Sequence, residues 1–162
     1  MSHKVGLITG SFDPITLGHL DIIERATALF DSVYVAVVAH PKKHTMWSLE
    51  KRHRHTKEVL AHMPGVEVVT AQDTLTVELA QTLGVTHLVR GIRDSRDLDY
   101  ERQLETYNRF LEDTLETVYF LAKPEMAHIS SSSIKELLHY HRDVSSFVPA
   151  IIQRELNHDL HE

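Results

Sequence analysis

The ten residues Gly10-Ser11-Phe12-Asp13-Pro14-Ile15-Thr16-Leu17-Gly18-His19 bring a glycine turn and a histidine together. They follow an apolar run, Val5 to Thr9, and precede a stretch with helical periodicity, so they read as a strand-to-helix turn that carries His19 into the helix start. Turns of this kind bind phosphate. Unpaired backbone N–H groups and the positive end of the helix dipole converge there, and a glycine lets an anion approach the backbone closely. Gly18, with no side chain, leaves the imidazole room to meet a ligand. A histidine so placed can donate from Nε2 to a phosphoryl oxygen as charge builds up in a transition state, without becoming a nucleophile. It could also simply cap or pack the helix.

Other residues suit the same chemistry. Lys42 and Lys43 follow one predicted strand, and Arg90 and Arg93 end another. Cations there would neutralise the phosphate of an incoming nucleophile and hold it against a second phosphate, offsetting the repulsion between two anions. The bland readings are a solvated loop lysine for Lys43 and a structural ion pair with Asp94 or Asp97 for Arg90. Further on, Ser133-Ile134-Lys135-Glu136 fits a capping box, so Ser133 is the expected start of a helix. That leaves Ser130, Ser131 and Ser132 to face phosphates. Asp13 beside Pro14 reads as a turn residue or as an orienting group for a basic neighbour or a ligand, and Glu101 has the second choice as well. The pairs His53/His55, His139/His141 and His158/His161 invite a metal reading, but residues two apart point to different sides of a helix, and surface histidines are expected instead.

The elements that must position these groups alternate along the chain. Strands are expected at Val5 to Thr9, Val33 to Ala39, Val66 to Val69, His87 to Val89 and Thr117 to Leu121. Helices are expected at Leu17 to Phe30, from Ser48 to before Pro64-Gly65, at Thr76 to Leu83 with a stop at Gly84, at Leu98 to Leu111, at Ser133 to His141, and at Ala150 to Leu160 after Pro149. In the long fourth helix, Leu104, Tyr107 and Leu111 are spaced for one face. Apolar strands alternating with helices imply an α/β fold: a Rossmann-like, doubly wound parallel sheet of five strands with helices on both faces. Ligands bind such sheets beyond the carboxyl ends of the strands, where the strand order reverses. That rule selects four loops, Gly10 to His19, His40 to Trp47, Arg90 to Arg93 and Lys123 to Ser133.

Composition bounds the rest. A chain of 162 residues is the length of one domain, expected to span residues 1–162 with the C-terminal helix packed upon it. With no cysteine, neither a disulfide framework nor a thiolate metal site is possible. Apolar runs are too short to span a membrane and the N-terminus lacks a secretory signal, so a soluble, cytoplasmic protein is expected. A formal net charge of −6 argues against general nucleic-acid binding, though not against a phosphate-bearing small molecule.

Taken together, Gly10-Ser11-Phe12-Asp13-Pro14 and Thr16-Leu17-Gly18-His19 resemble the nucleotidyltransferase superfamily of the T/H-x-G-H type, and Thr16 resembles its bacterial phosphopantetheine adenylyltransferase branch. Pro41-Lys42-Lys43 with Ser48-Leu49-Glu50-Lys51-Arg52, Arg90-Gly91-Ile92-Arg93, Tyr100-Glu101, Asn108-Arg109 and Ile129-Ser130-Ser131-Ser132 resemble that family's other motifs, in the same order over residues 5 to about 148. The sequence departs from the pattern at Ile8-Thr9, where Tyr-Pro is common, at His44-Thr45, and by one extra residue near Asp73 to Thr76.

The resemblance implies transfer of AMP from ATP to 4′-phosphopantetheine. His19 would stabilise the transition state, and Lys43 and Arg90 would position the attacking phosphate, with Ser11 and Thr76 as further acceptor contacts. It assigns ATP to Ser11, Phe12, His19, Gly91, Ile92, Arg93, Glu101, Met126, Ala127, His128, Ile129, Ser130, Ser131 and Ser132. It also implies Mg²⁺ carried in with ATP rather than held by protein side chains, coenzyme A as a feedback inhibitor, and a homohexamer. Another adenylyl- or cytidylyltransferase of the superfamily, or a nucleotide-sensing protein without turnover, remains an alternative at this point.

Overall fold

The computed structural model describes residues 2–161. Strand and helix alternate in the order β1 (Val5–Gly10), α1 (Leu17–Thr27), β2 (Ser32–Ala39), α2 (Leu49–Leu60), β3 (Val66–Gln72), α3 (Thr76–Leu83), β4 (His87–Ile92), α4 (Ser95–Leu111) and β5 (Glu116–Leu121), and end with α5 (Ser131–His139) and α6 (Ala150–Asp159). The five strands are parallel and ordered β3-β2-β1-β4-β5. The chain begins at the centre, steps outward through β2 and β3, then returns to β4 on the other side of β1. That is the doubly wound α/β arrangement expected, with the reversal between β1 and β4.

Alternation along the strands sorts side chains onto two faces. Ile8, Val33, Val35, Val37 and Val89 join a large core with α1, α2, α5 and α6, whereas Leu7, Ala36 and Leu88 join a smaller one with Val77 and Ala80 of α3. The C-terminal helix closes over α2. Trp47 Nε1 donates to Asp159 at 2.6 Å, Lys51 Nζ lies 2.7 Å from the same carboxylate, and His55 Nε2 meets Glu155 at 3.1 Å. His55 is therefore not the surface histidine expected; it is buried against the Trp47 ring. The other members of those pairs are exposed or, for His53, half-buried.

Several boundaries move for identifiable reasons. α4 starts at Ser95, not Leu98, because Asp94 caps it by accepting from the Asp97 N–H at 3.0 Å. α5 starts at Ser131 because Ser130, not Ser133, is the cap: its Oγ accepts from the Ser133 N–H at 3.0 Å. The stripe on α4 also faces differently from the expectation. Leu104 is half-buried, but Tyr107 is 69% exposed and Leu111 52%, and Glu101 is the helix's only buried residue.

α3 matches its expected span, and Gly84 ends it in the left-handed region at φ 66. A Cβ added there would meet nothing within 4 Å, so Gly84→Ala would suffer conformational strain alone. About 1–2 kcal/mol is expected, lowering Tm by roughly 4 °C in a thermal melt. An unchanged Tm would contradict this assignment of the cost.

Candidate active site

The central pair of strands parts early. β1 and β4 are paired only at Gly6–His87 and Leu7–Leu88, whereas β1 and β2 stay in register to Gly10–Val37. Beyond Leu7 and Leu88 a cleft of about 370 Å³ opens, a volume usual for small-molecule sites. The β1–α1 turn, Lys43, the end of β4, the loop after β5 and the start of α5 all line it. These are the four loops picked out by the switch-point rule.

His19 is fixed from below. Thr16 caps α1, its Oγ1 accepting from the His19 N–H at 3.2 Å, and His19 Nδ1 in turn accepts from the Thr16 N–H at 3.0 Å. Because Nδ1 is an acceptor, the neutral ring must carry its proton on Nε2. Among the described residues Nε2 has no hydrogen-bond partner, and the ring lines the cleft edge-on to Phe12 with centroids 4.9 Å apart. Burial, reinforced by the charges of Arg93 and Arg90, lowers the His19 pKa from 6.5 to about 4. At neutral pH the group is an uncharged donor, not an acid and not a cation.

Arg90 spans the gap between the parted strands. Its Nη1 donates to the Thr9 carbonyl at 3.0 Å and to Thr9 Oγ1 at 2.8 Å, while Nε and Nη2 form a two-pronged pair with Glu101 at 2.8 and 2.7 Å. Of the five guanidinium N–H groups one, on Nη2, is left over among the described residues. The partner is Glu101, not the Asp94 or Asp97 considered as alternatives. Glu101, assigned to ATP by resemblance, has both carboxylate oxygens on Arg90. Asp97 instead takes Arg93, with Nε at 2.9 Å; that hydrogen bond raises the Arg93 pKa and lowers that of Asp97. Lys43 is exposed and also lines the cleft, with Nζ 3.0 Å from Ser11 Oγ.

The third wall is the start of α5. Ser130, Ser131 and Ser132 all line the cleft, beside Met126 and Ile129. With Ser130 as the cap, Ser131 and Ser132 occupy the first helical turn, where backbone N–H groups have no partner within the helix. Ser131 Oγ donates to the Pro14 carbonyl at 2.9 Å and ties this wall to the β1–α1 turn.

Not every expected residue faces the cleft. Ile92 is buried and its carbonyl accepts from the Ala122 N–H at 2.8 Å, so its side chain is part of the core. Ser11, Ala127 and His128 stand outside the lining; the His128 ring packs on Phe147. Gly91 and Phe12 do line it. Thr76 lines a second, smaller cleft of about 90 Å³ with Leu104 and Asn108, which shares Thr9, Arg90 and Glu101 with the first. Sequence reasoning missed Thr9 as the anchor of Arg90 and Asp97 as the anchor of Arg93. The departure from Tyr-Pro was the visible sign at Thr9, since proline has no hydroxyl. Among the described residues no cluster of three His, Asp or Glu could hold a metal ion, and no helix is long and apolar enough to cross a membrane.

The chain resembles known proteins over nearly its whole length. The model of the family described as cytidylyltransferase-like matches residues 7–137. The chain is 47% identical over 156 residues to the phosphopantetheine adenylyltransferase of Streptococcus suis, covering 96% of each sequence. It is 46% identical over 162 residues to that of Streptococcus gordonii, covering 100% of this chain and 99% of the relative. A solved structure from Vibrio parahaemolyticus, provisionally named a nicotinate-nucleotide adenylyltransferase, superposes with a TM-score of 0.71 at 16% identity. The match covers 96% of this chain and 93% of that one, and at this identity it speaks to the fold alone.

Proposed function

The chain belongs to the cytidylyltransferase-like family and within it to the phosphopantetheine adenylyltransferases, and on that premise we propose how its cleft transfers AMP from ATP to 4′-phosphopantetheine, giving 3′-dephospho-coenzyme A and pyrophosphate. The observation that carries the reading is His19: a neutral ring with Nδ1 tied to Thr16 and an Nε2 donor free toward a cleft with basic groups at one rim and open amides at another.

An oxygen of the acceptor phosphate attacks the α-phosphorus of ATP in line, a new P–O bond forms, and the bond from the α-phosphorus to the bridging oxygen breaks to release pyrophosphate. No bond to the enzyme is made. Nε2 of His19 donates to a non-bridging oxygen as charge accumulates there. Lys43 and the remaining N–H of Arg90 hold the attacking phosphate, with Ser11 setting the direction of the Lys43 ammonium. Arg93 and the amides and hydroxyls of Ser130 to Ser132 hold the leaving pyrophosphate, while the adenine end lies beside Met126 and Ile129. The acceptor's pantetheine arm fits the second cleft beside Thr76, which joins the first at Arg90. Mg²⁺ comes with the triphosphate, since the two carboxylates facing the main cleft, Asp97 and Glu101, are each occupied by an arginine.

The proposal extends to a cytoplasmic homohexamer that binds no nucleic acid and is inhibited by coenzyme A, a ligand that combines nucleotide and pantetheine parts. Exposed apolar side chains on α4, with Tyr107 and Phe110 69% and 88% exposed, supply surface for assembly.

Pyrophosphate release, measured with ATP, Mg²⁺ and each of several phosphate acceptors, tests the reading. Release with 4′-phosphopantetheine is expected; release only with nicotinate mononucleotide or glycerol 3-phosphate would assign the site to another transferase, and ATP binding without release would make it a sensor. In the same assay Lys43→Met should raise KM for phosphopantetheine about 10-fold or more, the usual worth of a charge-assisted hydrogen bond, with ATP affinity within about twofold. Equal losses for both substrates would contradict the placing of Lys43 on the acceptor.

A further inference from the structure

Asp13 is fully buried, yet its hydrogen bonds leave its own turn. An aspartate that only shapes a turn bonds to backbone two residues on. Here Oδ2 accepts from the Met46 N–H at 2.7 Å and Oδ1 from the Trp47 N–H at 3.0 Å, 33 and 34 residues away. A third donor comes from α5, where Lys135 Nζ lies 2.6 Å from Oδ2. One carboxylate thus joins the β1–α1 turn, the loop that carries Lys43, and the helix whose first turn carries the serines. Burying a charge is costly, and three donors offset that cost.

Arg52 completes the arrangement from the other side. It is 2% exposed; Nε donates to the Trp47 carbonyl at 3.1 Å, and Nη1 donates to the carbonyls of Ser11 at 2.7 Å and Val38 at 2.9 Å. The Trp47 peptide groups are therefore held by opposite charges, N–H by Asp13 and C=O by Arg52. Lys43, four residues earlier, is drawn to Ser11 Oγ. Both ends of the segment 43–47 are fastened to the same turn. Lys135 does not line the cleft; its ammonium is on Asp13.

We propose that Asp13 is a positioning residue whose buried carboxylate, held by Lys135, locks the Lys43 loop to the serine helix and so fixes the distance between the acceptor-phosphate cation and the pyrophosphate-binding amides. The proposal rests on the transferase reading above. In-line transfer needs reacting atoms within about 3–3.5 Å, and a displacement of about 1 Å costs on the order of 100-fold in rate. A lock across the two sides of the reacting phosphorus acts on kcat.

The test uses the full chain and its single tryptophan, Trp47, which sits at the lock and reports on it by fluorescence. Asp13→Asn is the direct variant; Lys135→Met, on a half-buried helix position, removes the counter-ion without touching the buried carboxylate, and Lys135→Arg restores the charge. For Lys135→Met, measured per folded molecule, kcat should fall about 10-fold, a fraction of the displacement cost above, with ATP affinity by equilibrium binding within about twofold and Trp47 emission red-shifted. Lys135→Arg should recover kcat to within about threefold of the parent. A kcat within twofold of the parent for Lys135→Met overturns the proposal, and so does a failure of Lys135→Arg to rescue. A loss confined to ATP affinity would place Lys135 on the triphosphate and also overturn it. Should the parent fail to adenylylate phosphopantetheine, the transferase reading falls, while an unshifted Trp47 emission in Lys135→Met refutes the lock in either case.

Discussion

His19→Ala is expected to lower kcat by about 10²–10³-fold, the usual cost of removing one preorganised donor to a developing oxyanion, while ATP affinity stays within about threefold. The split follows from the local structure. Nδ1 is engaged by the Thr16 N–H, so the ring cannot turn that nitrogen to a ligand, and Nε2–H is the one donor left. A donor that meets oxygen mainly when charge develops contributes little to ground-state binding. Steady-state turnover and equilibrium ATP binding check the two halves, and a near-parental kcat would remove His19 from the chemistry.

Protonation adds a second arm. With its pKa held at about 4 by burial and by the neighbouring arginines, His19 should impose no acidic limb on kcat between about pH 8 and pH 6. Stability depends on pH through the same group. Below its ordinary value of 6.5 the unfolded chain takes up a proton that the folded chain refuses, so His19 lowers stability as pH falls from 6.5 towards 4. His19→Ala should flatten that part of the stability–pH curve.

Arg90→Met carries the second large effect, and it is both structural and chemical. The substitution strands Glu101, whose side chain is 9% exposed, and the Thr9 hydroxyl. Breaking a buried pair from one side costs about 3–5 kcal/mol, and with the Arg90 side chain 27% exposed about 2 kcal/mol is expected, or roughly 4–8 °C in Tm for a chain of this size. Catalysis should suffer more. The guanidinium bridges the opened end of the β1–β4 pair, so losing it removes a cation from the acceptor phosphate and loosens the strands that carry His19's turn. A drop of about 10²–10³-fold in kcat/KM for phosphopantetheine is expected, with a smaller change in ATP affinity. Glu101→Gln separates the two causes: it keeps the shape, weakens the hold on Arg90, and should raise KM for the acceptor while leaving ATP affinity unchanged. A parental KM in that variant would contradict the view that Glu101 serves Arg90.

The sequence carried some of this openly and some of it not at all. α3 and its glycine stop were legible because the determinants are local: an amphipathic octet followed by a residue that can take positive φ. The cleft was legible from topology, since apolar strands feeding glycine, lysine and serine loops place those loops at one end of a parallel sheet. The α5 cap was misplaced by three residues because Ser130 and Ser133 present the same hydroxyl at the same spacing from acceptable partners, and only the extended backbone at Ser130 decides between them. Asp13 and His55 were hidden for another reason. Their partners, Lys135 and Glu155, lie about a hundred residues away or more and become neighbours only when α5 and α6 fold back over the sheet. The exposed stripe on α4 followed helical periodicity faithfully; periodicity tells that a face is apolar, not what covers it.

The central claim is direct displacement at the α-phosphorus across a single cleft, with no covalent adenylyl-enzyme. The measurement that tests it most directly is the stereochemical course of transfer from ATP made chiral at that phosphorus by sulfur substitution. One in-line attack by the pantetheine phosphate predicts inversion of configuration in the dephospho-coenzyme A product. Retention would mean two displacements, hence an intermediate on the protein, and would contradict a mechanism in which His19, Lys43 and Arg90 act without bonding to the transferred group.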